Sequence, residues 1–146
     1  MKFLVLNGAN LNFLGIREPD IYGKRTYADL VEMIKAHASE KNAEVSFVQS
    51  NHEGALVDAI QQAYFDKVDG IIFNPGAYTH TSIAIMDAVK AVNIPTVEVH
   101  ISNVSEREEY RQISYIGKVA VKTIAGMGFD GYNLAMDHLI SLLGEK

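Results

Sequence analysis

The chain alternates between two hydrophobic periods. Lys2 to Asn7, Glu44 to Gln49, Gly70 to Asn74, Thr96 to His100 and Val119 to Ala125 are short runs rich in Val, Ile and Phe, the composition of strands buried on both faces. Between them apolar residues recur at helical spacing. Thr26 to Ser39 sets Leu30, Met33, Ile34 and His37 on one stripe, and Glu53 to Tyr64 does so with Leu56, Ile60 and Ala63. Ser82 to Val92 and Gly131 to Leu143 complete the set, and Thr26 or Asp29 is positioned to cap the first helix. Strands alternating with helices imply right-handed crossovers, so the pattern predicts an α/β fold in which a five-stranded parallel sheet is covered on both faces.

That architecture says where function sits. In open α/β sheets, ligands bind outside the carboxyl ends of the strands. Following the strands in turn, those ends carry Asn7 and Asn10, then Gln49, Ser50 and Glu53, then Asn74 and His80, then His100, Ser102 and Asn103, then Gly126 and Gly128. A random surface would not collect its amides and imidazoles at one rim. The connection from Asn7 to Gly23 is also far longer than the usual 4 to 6 residues or so, and long connections of this kind are commonly lids or binding loops. It carries Asn10, Arg17 and Tyr22, with Gly15 and Gly23 as permissive hinge points and Pro19 stiffening the turn, so Asn10 to Gly23 is read as a lid.

Composition narrows the class. The chain has 146 residues, 48% of them apolar, with no composition shift or linker, so residues 1–146 are expected to form one domain with a full core. No cysteine is present, which excludes disulfides and thiolate metal sites. No apolar run approaches the roughly 18 residues of a membrane span, and the N-terminus lacks the pattern of a secretion signal; the expectation is a soluble cytoplasmic protein. The formal charge of −5, with acids and bases interspersed, argues against nucleic-acid binding.

Four blocks, NGANLNFLGIREPDIYG, QSNHEG, NPGAYTHTSIAIMDA and EVHISNVSEREEYRQISY, give the chain a specific likeness. Over essentially its whole length it resembles the type II 3-dehydroquinate dehydratases. The resemblance implies a flavodoxin-like three-layer sandwich and a cofactor-free, metal-free, reversible trans-dehydration of 3-dehydroquinate to 3-dehydroshikimate through an enolate. That reaction is the third step of the shikimate pathway toward chorismate and aromatic amino acids, and quinate catabolism is an alternative use of it. It also implies a homododecamer built from trimers. In this likeness Tyr22 is the base, Arg17 its activator, His100 the general acid, and Asn10 a ligand of the water that stabilises the enolate. The backbone amides of Ile101 and Ser102 take the substrate carboxylate, Asn74, His80 and Arg111 grip ring hydroxyls, and Asp87 reaches in from a neighbouring subunit. Ala9 departs from the family's common proline, which removes a fixed φ but no chemical group.

The residues can be tested against that chemistry. Losing water β to a ketone needs a base at the α-carbon, a stabilised enolate and an acid for the departing hydroxyl. A phenol with pKa about 10 must shift by roughly 3 units to ionise near neutrality, about 4 kcal/mol. One guanidinium about 4 Å away supplies roughly 1 kcal/mol in water and about 4 at an effective dielectric near 20. The lid must therefore close and partly dry the site. Glu98 lies two residues before His100, so on a strand it points to the same side, where it can hold the imidazole and favour its protonated form. Arg107 is near enough in sequence to the cluster to support Tyr22 or the loop electrostatically.

Each residue alone has an ordinary reading. A loop arginine or tyrosine is usually solvated or packed, His80 can sit near a helix start, and Asn74 with Pro75 is a turn signal. Asp87 can be an exposed helical acid, and Arg107 and Arg111 among Glu106, Glu108 and Glu109 can be helix-surface pairs. Their joint occurrence in family order at one rim favours the catalytic reading for Tyr22, Arg17 and His100, and secondarily for Arg107. His37, His52 and His138 fall outside the cluster and keep structural roles. A flavin-binding electron carrier would want a Ser/Thr-rich phosphate loop where this chain has NGANLN, and a phosphorylated receiver would want aspartate where it has Asn74. A purely structural subunit leaves the Arg17 and Tyr22 loop without a purpose. On the helix containing TSIAIMDAVKAV, Ile83, Ile85, Met86 and Val89 occupy more than one face, so some are expected to lie between chains.

Overall fold

A computed structural model describes residues 1–144. Strands β1 (Lys2–Asn7), β2 (Glu44–Gln49), β3 (Gly70–Asn74), β4 (Thr96–His100) and β5 (Lys122–Ala125) form one sheet in the order β2-β1-β3-β4-β5. Every neighbouring pair is parallel. The helices are α1 (Pro19–Tyr22), α2 (Tyr27–Glu40), α3 (Glu53–Phe65), α4 (Ile83–Val92) and α5 (Asp130–Gly144).

Strand alternation divides the core in two. Phe3, Val5, Ile72, Val97 and Val99 face one layer, where α2 brings Leu30 and Ile34 and α5 brings Tyr132, Met136 and Leu139. Leu4, Leu6, Ile71 and Phe73 face the other, against Leu56 and Ile60 of α3 and Ile85 and Val89 of α4. Each large aliphatic side chain so buried contributes about 1.5–3 kcal/mol. Helices on both faces of a parallel sheet make the three-layer α/β sandwich that the periodicity predicts.

The helix boundaries lie within a residue of the sequence reading, and the caps explain them. Thr26 and Asp29, read as alternative caps for α2, work together: Thr26 Oγ1 accepts the Asp29 N–H at 3.2 Å while Asp29 Oδ2 accepts the Thr26 N–H at 2.9 Å, a reciprocal capping box. Ser82 lies outside α4 and caps it, its hydroxyl accepting the Ile85 N–H at 3.0 Å.

Three differences correct the sequence reading. The last strand begins at Lys122 rather than Val119, because Val119 closes a 3₁₀ turn at Ile116–Lys118 through its N–H to the Ile116 carbonyl. The two outer strands are not buried on both faces: β2 is half-exposed and in β5 only Ile124 is buried, as expected where a sheet ends. The lid has structure of its own, a 3₁₀ turn at Leu11–Phe13 and the single helical turn α1 with Pro19 at its start.

Beyond β1 and β3 the backbones meet. A Cβ on Gly8 would fall 2.1 Å from the Pro75 carbonyl oxygen, so only glycine allows the first lid residues to lie against the turn after β3. That contact anchors the lid root beside the strand ends.

Candidate active site

Strand parity sets the direction of each polar side chain at the rim. Asn7 and Asn74 continue the face of Val5 and Ile72 and turn toward α5, where the Tyr132 hydroxyl donates to Asn7 Oδ1 at 2.6 Å and accepts from Asn74 Nδ2 at 3.0 Å. All three are buried, and burial pushes the Tyr132 phenol far above its ordinary range, so it stays neutral. Asn74 Oδ1 also accepts the Gly76 N–H at 3.1 Å, which shapes the turn that leads to His80.

Glu98 and His100 follow the opposite parity, and the predicted pairing is present: His100 Nε2 lies 2.6 Å from Glu98 Oε2. Oε2 also accepts the Ser114 hydroxyl at 2.7 Å, and Oε1 accepts the Thr123 hydroxyl at 2.7 Å. Glu98 is fully buried. Burial alone raises its proton affinity, but the His100, Ser114 and Thr123 hydrogen bonds together outweigh it and hold the carboxyl below the ordinary range. Since Nε2 is committed to Glu98, Nδ1 is the ring nitrogen left for the cleft.

The lid brings Tyr22 to the same place. Arg107 Nη1 donates to the Tyr22 hydroxyl at 3.0 Å and lies 3.4 Å from Ser102 Oγ. Arg17 covers the Tyr22 ring, its Cζ 4.7 Å from the centroid, and pairs with Glu18 at 3.5 Å. The hydrogen bond it donates to Tyr22 keeps the Arg107 guanidinium above its ordinary pKa despite partial burial. Arg107 and Arg111 lie on a segment of 3₁₀ turns, Val104–Glu106 and Glu109–Arg111, rather than on a helix. They share Glu108, at 3.5 Å from Arg107 Nε and 2.9 Å from Arg111 Nε. Gln112 Nε2 braces the segment against the Val104, Arg107 and Glu108 carbonyls at 3.0, 3.1 and 3.2 Å.

Some of these residues bound a cleft partly open to solvent, its empty space about 440 Å³ with the open mouth included. Of the sequence-predicted residues, Arg17, Tyr22, Asn74, His80, His100, Ile101, Ser102, Arg107 and Arg111 line it. His80 is fixed by its Nδ1 at 2.7 Å from the Ile113 carbonyl, which leaves Nε2 for a ligand. Burial is the main cause holding its pKa below the ordinary value of 6.5, so it faces the cleft neutral at pH 7. The Ile101 and Ser102 carbonyls accept the Gly128 and Gly126 N–H groups, which pins this backbone corner beside His100.

Three predicted residues do not line the cleft. Glu98 lies behind His100. Asn10 is exposed in a left-handed conformation at φ 71°, its N–H on Asn51 Oδ1 at 2.9 Å. Asp87 is exposed on α4. Sequence reasoning missed Ser114, Thr123 and Gln112, along with the wall residues Leu11, Ala77 and Val104. Thr123 was reachable only through strand order, since it is the in-register partner of Glu98 on the neighbouring strand. His37, outside the cluster as expected, bridges α2 to α5 through Asp137 at 2.6 Å. Among the described residues no group of His, Asp and Glu is arranged to hold a metal ion, and no helix is long and apolar enough to cross a membrane.

Residues 1–140 match the family model described as Dehydroquinase class II. The chain is 54% identical to the 3-dehydroquinate dehydratase of Clostridium acetobutylicum over 99% of this chain and 100% of that protein. Among solved structures, it is similar to the type II dehydroquinase of Butyrivibrio crossotus, with a TM-score of 0.95 and 57% identity over 96% of this chain and 97% of that one. It is also similar to the type II dehydroquinase of Propionibacterium acnes, with a TM-score of 0.92 and 41% identity over 96% of each chain.

Proposed function

The chain belongs to the dehydroquinase class II family, and on that premise we propose that the cleft dehydrates 3-dehydroquinate to 3-dehydroshikimate, the chain acting as a hydro-lyase. The observation that carries this reading is the meeting of the Tyr22 hydroxyl, under the Arg107 guanidinium, with the His100 imidazole in one cleft.

The steps follow from what each group can do. Tyr22, as phenolate, takes the proton from the α-carbon of the ketone, and the two guanidiniums beside it stabilise the anionic form inside a partly dry cleft. The electron pair moves onto the ketone oxygen as an enolate, which Asn10 stabilises through an ordered water once the lid shuts. The enolate then collapses, the carbon–oxygen bond at the β position breaks, and His100 Nδ1 delivers a proton so that the hydroxyl departs as water. Glu98 keeps the Nε2 proton in place throughout. The Ile101 and Ser102 amides receive the substrate carboxylate, and His80, Asn74 and Arg111 hold the ring hydroxyls.

The same proposal includes a role in the shikimate pathway, a single domain spanning residues 1–146, a cytoplasmic location and assembly as a homododecamer of trimers. Exposed Ile83 and Asp87 on α4 support a partner surface there, with Asp87 serving a neighbour's cleft rather than its own.

Following the ultraviolet absorbance of the conjugated enone after adding 3-dehydroquinate tests the reaction. Turnover is expected, and Tyr22→Phe should abolish it while leaving the circular dichroism spectrum unchanged. A Tyr22→Phe protein that still turns over would remove Tyr22 as the base.

A further inference from the structure

Glu98 receives more than the bond from His100. A carboxylate buried to 0% exposure needs donors for its lone pairs, and here the surrounding elements each supply one. Thr123 approaches from β5, where it stands in register with Glu98, and its hydroxyl meets Oε1 at 2.7 Å. Ser114 approaches from the segment after the Arg111 turn, and its hydroxyl meets Oε2 at 2.7 Å, the oxygen that also faces His100. Ser114 is itself fixed, since its Oγ accepts the Gly117 N–H at 2.9 Å. A Cβ on Gly117 would fall 3.1 Å from both Glu98 Oε1 and Ser114 Oγ, so the backbone closes tightly over the carboxylate.

We propose that Ser114 and Thr123 are positioning residues for the acid step: by donating to Glu98 they hold it as an anion in one orientation, which keeps the transferable proton on His100 Nδ1. The inference rests on the dehydratase reading above. Each hydroxyl stabilises the ionised carboxylate, so each lessens its pull on the imidazole's protons. With a donor removed, the carboxylate becomes more basic and grips the imidazolium harder, and His100 becomes a weaker acid toward the departing hydroxyl. Neither hydroxyl touches the cleft. The charged and titratable groups facing the pair are His80 and Arg111 from the two flanking turns, with Arg17, Tyr22 and Arg107 across the cleft. β3 presents Phe73 opposite Glu98.

The experiment follows dehydration of 3-dehydroquinate against pH for the unmodified chain, Thr123→Val, Ser114→Ala and Thr123→Ser. Alongside it runs the α-carbon proton exchange. Thr123→Val and Ser114→Ala should each move the basic limb of the kcat profile to higher pH by about one unit. Both should slow dehydration at neutral pH while leaving KM and proton exchange near the unmodified values. Thr123→Ser keeps a donor and should restore the original profile. Profiles that superimpose on the unmodified chain, or equal losses of exchange and dehydration, would overturn the proposal. If one variant fails to fold, the other decides, because each donor acts on the carboxylate separately. An unmodified chain without dehydratase activity would sink the functional reading instead. In that event ring-nitrogen NMR of His100 still tests the inference, and a titration unmoved by Thr123→Val or Ser114→Ala would overturn it.

Discussion

Two guanidiniums attend one phenol, and they do so from different directions. Arg107 donates to the hydroxyl itself, whereas Arg17 lies over the ring face. Arg107→Ala should lower kcat by about 10²–10³-fold, the scale for losing one donor to an anionic oxygen in a protected site. Because both arginines act on the same phenol, the Arg17→Ala/Arg107→Ala double variant should lose less than the product of the two single losses, as steady-state kinetics on the three proteins would show. A second prediction concerns acid. The folded Glu98 carboxyl titrates below its ordinary value of 4.5, so its contribution to stability is complete above that pH and is lost as the pH falls toward the folded value. Urea midpoints measured from pH 6 downward should therefore fall more steeply for the unmodified chain than for Glu98→Gln. At this scale the motifs made Arg17, Tyr22, His100 and the Glu98 pairing legible, because family order and strand parity are both written in neighbouring residues. The direct bond from Arg107 was not legible, since 85 residues separate it from Tyr22, and the sequence reading gave it only electrostatic support of Tyr22 or the loop. Ser114 and Thr123 were hidden because their meaning depends on which strand lies beside β4.

At the scale of elements, the lid and α2 share a boundary that can be tested from both sides. Thr26→Ala removes one arm of the capping box and should cost about 1 kcal/mol in chemical denaturation with kcat unchanged, since the cap is exposed and away from the cleft. Gly15 is different. Its φ of +87° lies in the left-handed region, and an added Cβ would meet the Lys24 carbonyl oxygen at 2.9 Å. Gly15→Ala should therefore displace the lid and reduce kcat/KM, with a global unfolding midpoint that changes far less than the activity. The strands and long helices were legible because their apolar periods run over many residues. Val119 to Val121 looked like strand for the same reason, yet a 3₁₀ turn captures Val119, and Val121 gives its N–H to the Thr96 carbonyl before the ladder proper begins. The short turns within the lid carry no period long enough to read.

For the whole molecule, sheet order determines which distant segments become neighbours. The order β2-β1-β3-β4-β5 sets β1 and its lid beside β3, with β4 and the Arg107 segment next in line. Periodicity predicted a parallel sheet with two covered faces and the family resemblance added the flavodoxin-like type, whereas the strand order was read from neither. Assembly lies beyond one chain's pattern. Ile85 and Val89 on α4 are spent on the core, which leaves Ile83, 52% exposed, and Asp87 among the residues available to a partner. Asp87→Arg should shift the light-scattering mass and lower activity together, and an unchanged mass with full activity would remove Asp87 from the proposed shared site.

The bond between Tyr22 and Arg107 ties the lid to the segment after β4, so any swing of the lid away from the strand ends parts them. Once parted, the phenol keeps Arg17, which travels on the same lid, but loses the cation that meets its hydroxyl. On the proposed reading, a swung-back door leaves the reagent blunted, which would curb stray proton abstraction while the protein waits for a guest.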